Sequence, residues 1–294
     1  MNDLSLFRYK EFKFFLNEND LWLPYYGGNK VRKFHKILQD IEDSGKNAIV
    51  TTGGIQSNHC RVAALVASRH KLKCVLILHG LEESFYRQKG NALLMRLAGA
   101  EIRFAEPEQI GSGMDQAMKD LESDGFDPCY VYGGGHNRAG VEAYIEYVYE
   151  MSKSIPESLI PDHIFLASGT GSTQAGILLG AREAGWDHTA VHGISVGRNK
   201  KRGREGVLES ISMADQNNVN WNVNFYDDYL FGGYGKSNEE LLQLIDDVAL
   251  KTGIILDACY SGKAFFGMLD IVKKFNLEGN IMFWHTGGIL NRMA

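Results

Sequence analysis

Short apolar runs alternate with longer stretches in which apolar residues recur every three or four positions, and glycines stand at most of the joints. NAIVTTGG (47–54) reads as a buried strand ending in glycines. SNHCRVAALVASRHK (57–71) follows with helical spacing behind a Ser/Asn cap. KCVLILHG (73–80), EIRFA (101–105), CYVYGGG (129–135), HIFLASGTG (163–171) and TAVHGISVG (189–197) read as further strands, with weaker ones near 222–227, at IILDACY (254–260) and at IMFWHTGG (281–288). Between them, helical spacing is found at 90–100, 114–125, 139–154, 172–185, about 205–213, 237–253 and 262–275, and a helix is expected after YYGGNK (25–30). Such alternation, with apolar β-branched strands, predicts an α/β protein of parallel sheets covered by helices. At 294 residues two such units are expected, dividing near 139–154 and the SKSIPESLIPD stretch after it.

Composition narrows the function classes. The formal net charge is −5 and 23% of residues are charged, a soluble globular balance that gives no general case for nucleic acid or membrane binding. No apolar run reaches the roughly 18 residues of a membrane span. The N-terminal stretch lacks a leader pattern, and the four cysteines, far apart and without a CxxC pair, suggest reduced thiols in a cytoplasm.

Candidate chemistry concentrates at the strand ends. TTGGIQSNH, YGGGHNR, ASGTGSTQAG, ACYSGK and WHTGG all place Gly and small hydroxyl residues where strands pass into helices. In parallel sheets that edge is where ligands bind, so five such turns point to one site. SGTGSTQAG (168–176) suits a phosphate, through helix N-terminal amides and Ser/Thr hydroxyls; the plain alternative is a capped tight turn. In GGNKVRK (27–33), Lys30 is either a solvated side chain or an amine kept neutral for covalent chemistry, and Lys33, one turn on, could serve a phosphate. GGIQSNHCR (53–61) offers Ser57, Asn58 and His59 at a helix start, as caps or as carboxylate binders. Tyr234 and Tyr260 are rim packing, or residues that stack on a ring or move a proton. The basic run RNKKRGRE (198–205) reads as a solvated loop that could help attract anions.

Five of these motifs, GGNKVRK, GGIQSNH, GTGSTQAG, YSGKAFFGM and HTGG, stand in the order found in the pyridoxal-phosphate enzymes of the 1-aminocyclopropane-1-carboxylate deaminase and D-cysteine desulfhydrase family, and the chain resembles that family from about residue 20 to 288. The resemblance implies the tryptophan-synthase-β-like fold: a large unit of residues 1–33 and 146–294, a small α/β unit of 34–145, the cofactor between them, and a homodimer. By the same resemblance, Lys30 is the covalent lysine. Lys33, Gly169, Thr170, Gly171 and Thr173 hold the phosphate, and Asn58 the cofactor's 3′-oxygen. Ser57, Asn58, His59, Tyr234 and Ser261 face a small amino-acid substrate, Tyr260 stacks on the ring, and Thr286 lies by the cofactor. Ser57, Tyr234 and Tyr260 join Lys30 as catalytic candidates, no metal is implied, and the glycines before Lys30 are expected to bring its backbone close to a flat cofactor.

Ser261 and Thr286 stand where the cyclopropane deaminases carry an acid and a Leu. Without the acid, protonation of the pyridine nitrogen weakens, which disfavours ring opening more than loss of a thiolate. The expected activity is therefore conversion of D-cysteine to pyruvate, sulfide and ammonia. The alternatives are cyclopropane ring opening to α-ketobutyrate or sulfite release from cysteate. From a different class comes a non-catalytic phosphate-ligand binder, which would have no need of Lys30. His59 where Gln is common, and NENDLW (17–22) where the family has a KREDL-like approach, bear on substrate identity.

Overall fold

The computed structural model describes residues 5–217 and 220–294. β1 (Ser5–Tyr9) and β2 (Phe12–Asn17) form a hairpin, and a 3-10 turn leads to α1 (Asn29–Asp43). Then follow β3 (Ala48–Gly54), α2 (Asn58–His70), β4 (Lys73–His79), α3 (Glu82–Arg87), α4 (Gly90–Leu97), β5 (Glu101–Phe104), α5 (Ile110–Ser123) and β6 (Pro128–Val131). The chain continues through α6 (Arg138–Ser152), β7 (His163–Ser168), α7 (Ser172–Glu183), β8 (Ala190–Ser195), α8 (Lys200–Ala214), β9 (Asn224–Tyr226), α9 (Glu239–Thr252), α10 (Ser261–Lys274) and β10 (Ile281–Trp284), and ends on a 3-10 turn, Ile289–Met293.

The strands make two sheets, ordered β1-β2-β10-β7-β8-β9 and β5-β4-β3-β6. Every pairing is parallel except the β1–β2 hairpin. Each sheet is covered on both faces. In the larger, Phe14, Phe165, Phe265 and Phe283 pack with α9 and α10 on one side, and Ile164, Leu166 and Trp284 with α6 and α7 on the other. In the smaller, α1, α2 and α4 cover one face and α5 the other. The boundary expected at 145/146 falls inside α6, and Val141 and Tyr144 already belong to the large sheet's core. Among the described residues no helix is long and apolar enough to cross a membrane.

Three local expectations change. IILDACY is not a strand; the fully buried Asp257 folds the segment into a turn by accepting from the backbone N–H groups of Cys259, Tyr260 and Ser261 at 2.8–3.0 Å. RNKKRGRE is a loop only to Asn199, whose side chain accepts from the Arg202 N–H at 2.9 Å and starts α8. The N-terminal hairpin was unforeseen, although Phe12, Phe14 and Leu16 alternate as a half-buried strand should.

Candidate functional site

The carboxyl ends of the two sheets face each other across a cavity of about 420 Å³. All five glycine-rich turns reach it, through Gly53 and Gly54, Gly133 and Gly134, Gly169 to Gly171, Tyr260, and Thr286 and Gly287. Lys30, Lys33, Ser57, Asn58, His59, Thr173 and Tyr234 also line it, so every expected site residue except Ser261 converges here. No Asp or Glu lines it among the described residues.

Lys30 enters on the first turn of α1, where backbones crowd together. A Cβ at Gly287 would lie 2.6 Å from the Gly28 Cα, and one at Gly27 would lie 2.4 Å from the Leu21 carbonyl oxygen. Gly27 and Gly28 also have φ of +67° and +98°. The Asn29 N–H donates to the Thr286 carbonyl at 2.9 Å, and the Gly28 N–H to that of Asp20 at 2.7 Å. These two glycines therefore serve backbone-to-backbone packing beside the cavity, and they bring the Lys30 backbone to its edge without lining it themselves. Lys30 Nζ has no hydrogen-bond partner among the described residues, and burial lowers its pKa to about 8, with Asp20 opposing the shift.

The second cluster surrounds the start of α7. Gly171, with φ of +102°, precedes the helix, and a Cβ there would lie 2.7 Å from the Val207 nitrogen of α8. The amides of Ser172, Thr173 and Gln174 have no partner within the helix and carry its positive end. Lys33, fully buried, donates to Ser172 Oγ at 2.6 Å and to the Gly134 carbonyl at 3.2 Å. Burial, then the nearby Lys30, holds its pKa well below the ordinary range, so an anion beside it would restore its charge. Asn29 Nδ2 donates to Thr173 Oγ1 at 3.1 Å and ties Lys30's helix to this turn. Arg198 donates to the Thr170 carbonyl at 3.3 Å and lines the cavity; it is the one residue of the basic run that does so.

A second helix start, that of α2, borders the same cavity. Ser57 caps it by accepting from the Cys60 N–H at 3.2 Å, leaving the amides of Asn58 and His59 without partners inside the helix. His59 is differently placed from a carboxylate donor. The single Thr51 hydroxyl proton goes to the Val131 carbonyl at 2.6 Å, so Thr51 Oγ1 must accept from His59 Nε2–H at 2.7 Å. Nδ1 is then an acceptor, and no described residue satisfies it. Burial and Lys30 keep the ring neutral. The backbone amides here, not the imidazole, suit an anion.

Tyr234 and Tyr260 hydrogen-bond hydroxyl to hydroxyl, rings edge to face at 6.0 Å. Burial raises both pKa values, so both phenols stay protonated. Ser261 faces away: its hydroxyl donates to Asp257 Oδ1 at 2.7 Å. Asp20, Asn29, His79, Arg198 and Asp257 were not singled out from the sequence. Only Arg198, inside its basic run, left a local signal.

The sequence pattern described as "Pyridoxal-phosphate dependent enzyme" matches residues 10–287. A Pyrococcus abyssi protein, provisionally named a 1-aminocyclopropane-1-carboxylate deaminase, is 35% identical over 273 residues, 90% of this chain and 80% of its own. The D-cysteine desulfhydrase of Serratia proteamaculans is 34% identical over 288 residues, covering 93% of this chain and 86% of its own. A crystal structure described as an ACC deaminase homologue superimposes with a TM-score of 0.84 at 32% identity, over 96% of this chain and 86% of that one. The match runs through the Lys30 helix, both glycine-rich helix entrances and the Gly28–Gly287 contact, and the chain belongs to the pyridoxal-phosphate-dependent enzymes.

Proposed function

We propose that this enzyme eliminates a β-substituent from a small amino acid, with D-cysteine as substrate and pyruvate, sulfide and ammonia as products. The observation that carries this reading is a cavity with a neutralisable lysine, two free helix N-termini and, among the described residues, no carboxylate in its lining. The donor set fits the cofactor. Gly171 lets the entrance of α7 pack against the α8 backbone, and Lys33 Nζ stands on Ser172 Oγ beside the free α7 amides, as a phosphate requires.

Bound here, pyridoxal phosphate supplies a conjugated ring that takes up the electron pair left when the substrate Cα loses its proton. Lys33, Gly169, Thr170, Gly171 and Thr173 would hold the phosphate, Asn58 the 3′-oxygen, and Thr286 would lie near the ring nitrogen. Lys30 carries the covalent link and, once free, takes the Cα proton, a task suited to an amine with a pKa of about 8. The amides of Asn58 and His59, with Ser57, bind the carboxylate. Tyr260, kept neutral beside Tyr234, would stack on the ring. With Ser261 in place of an acid, little charge would develop at the ring nitrogen, which suffices for a thiolate leaving group. Arg198 favours a second reading, an anionic substituent such as the sulfonate of cysteate. Cytoplasmic location, a homodimer and a small unit ending before α6 belong to the same proposal.

The test is a panel of D- and L-amino acids and 1-aminocyclopropane-1-carboxylate, assayed for pyruvate, sulfide, sulfite and α-ketobutyrate. α-Ketobutyrate from the cyclopropane substrate as the main product would overturn the elimination reading. Sulfite from cysteate in place of sulfide would move the assignment to Arg198's reading.

The lowered lysine pKa has its own consequence. Only the unprotonated Lys30 amine attacks an aldehyde. Capture of added cofactor by the apo-protein should therefore accelerate about tenfold per pH unit well below 8 and level off above it. Stopped-flow absorbance reads this directly. A rate still climbing at pH 10 would mean an ordinary, solvated lysine.

A further inference from the structure

Beside the cavity, one chain of amides centred on a buried asparagine joins its two sides. Asn91, on the first turn of α4, is fully buried; its backbone N–H donates to Gln56 Oε1 at 2.9 Å. Its side-chain nitrogen lies 3.0 Å from the Gln56 carbonyl, 3.0 Å from Asn58 Oδ1 and 2.7 Å from Asn291 Oδ1. Asn291 in turn donates to Asp257 Oδ2 at 3.3 Å, and that oxygen accepts from the Tyr260 N–H at 3.0 Å. The path therefore runs from the start of α2, in the small sheet's unit, through the last 3-10 turn to the Tyr260 turn of the large sheet's unit. The two elements meet closely: a Cβ at Gly90 would lie 2.4 Å from the Leu290 carbonyl oxygen.

The proton count gives this path a direction. Asn91 has two side-chain protons and three acceptors, and its own Oδ1 is buried without a partner among the described residues. The shortest contact is to Asn291. When Asn91 gives its protons to Gln56 and Asn291, Asn58 is left free to turn into the cavity that it lines.

We propose that Asn91 and Asn291 are positioning residues that set the spacing between the carboxylate-binding amides of α2 and the Tyr260 turn. The bridge rests on the amino-acid reading of the cavity given above. It touches neither Lys30 nor the phosphate turn, which supply the covalent and charged hold on the cofactor, so its loss should weaken the amino acid far more than the cofactor.

The experiment compares wild-type holoenzyme with Asn291→Ala, Asn291→Asp, Asn91→Ala and the Asn91→Ala/Asn291→Ala double variant. Alanine, which has no β leaving group, is titrated in either enantiomer against the cofactor absorbance, alongside cofactor affinity and melting temperature. About a tenfold weaker alanine Kd in each single alanine variant is expected, with cofactor affinity changed by no more than about threefold. The double variant should be no weaker than the worse single one. Asn291→Asp keeps size and acceptor but sets a second carboxylate beside Asp257, so it should be at least as impaired as Asn291→Ala. An alanine Kd within twofold of wild type in Asn291→Ala, a wild-type response from Asn291→Asp, or additive single effects would overturn the bridge. A wild-type holoenzyme that responds to no amino acid would overturn the underlying reading, and the bridge with it.

Discussion

Replacing Lys30 by alanine should abolish the borohydride-sensitive visible absorbance of the loaded enzyme and lower turnover by at least about 10³-fold. The reason is geometric as well as chemical. Two lysines sit one helical turn apart at the cavity, and only one is free to react. Lys33 Nζ is fully buried and committed to Ser172 Oγ and the Gly134 carbonyl. Lys30 Nζ has no such partner among the described residues, and burial brings its free amine within reach near pH 8. Lys33→Ala should therefore behave differently, retaining the covalent link while binding the cofactor more weakly. Peptide mass analysis after borohydride reduction separates the two, since the added mass must fall on the peptide holding residue 30. A reduced adduct on Lys33, or full absorbance in Lys30→Ala, would reverse the assignment.

What the sequence made legible was whatever is local along the chain. Four of the five glycine turns could be read because each places a strand end and its glycines within a few residues of the next helical turn, and all five reach the cavity. Ser57 was legible as a cap for the same reason. Residues that act across long separations left no such trace. Asp20 meets Tyr144 and Trp284, 124 and 264 positions away, and Asn91 meets Asn291 200 positions away. The apolar run IILDACY misled because one buried acid, Asp257, takes the amides that a strand would have offered to a neighbour. Ser261 misled similarly: it lies in the right motif, but its hydroxyl belongs to Asp257.

Asp20→Ala should destabilise the protein by about 3–5 kcal/mol, a large part of the roughly 5–15 kcal/mol that holds a domain folded. Asp20 is fully buried beneath the start of α1. Its carboxylate accepts from Arg32 Nε at 2.7 Å, from the Tyr144 hydroxyl and from Trp284 Nε1 at 3.4 Å. Arg32 lies over the Tyr147 ring at 3.6 Å, so removing the acid leaves a guanidinium largely shielded from water with only an aromatic face for company. Tyr144→Phe removes one hydrogen bond and leaves the ion pair, and should cost only about 1–2 kcal/mol. Urea midpoints at constant slope measure both losses. Asp20 also supports the charged form of Lys30, so the midpoint of cofactor capture in Asp20→Asn should fall below pH 8. That shift ties the site to its foundation: the same acid that anchors the large sheet to α1 keeps Lys30 from losing its proton too early. A stability loss under 1 kcal/mol with an unmoved midpoint would mean that Asp20 does neither.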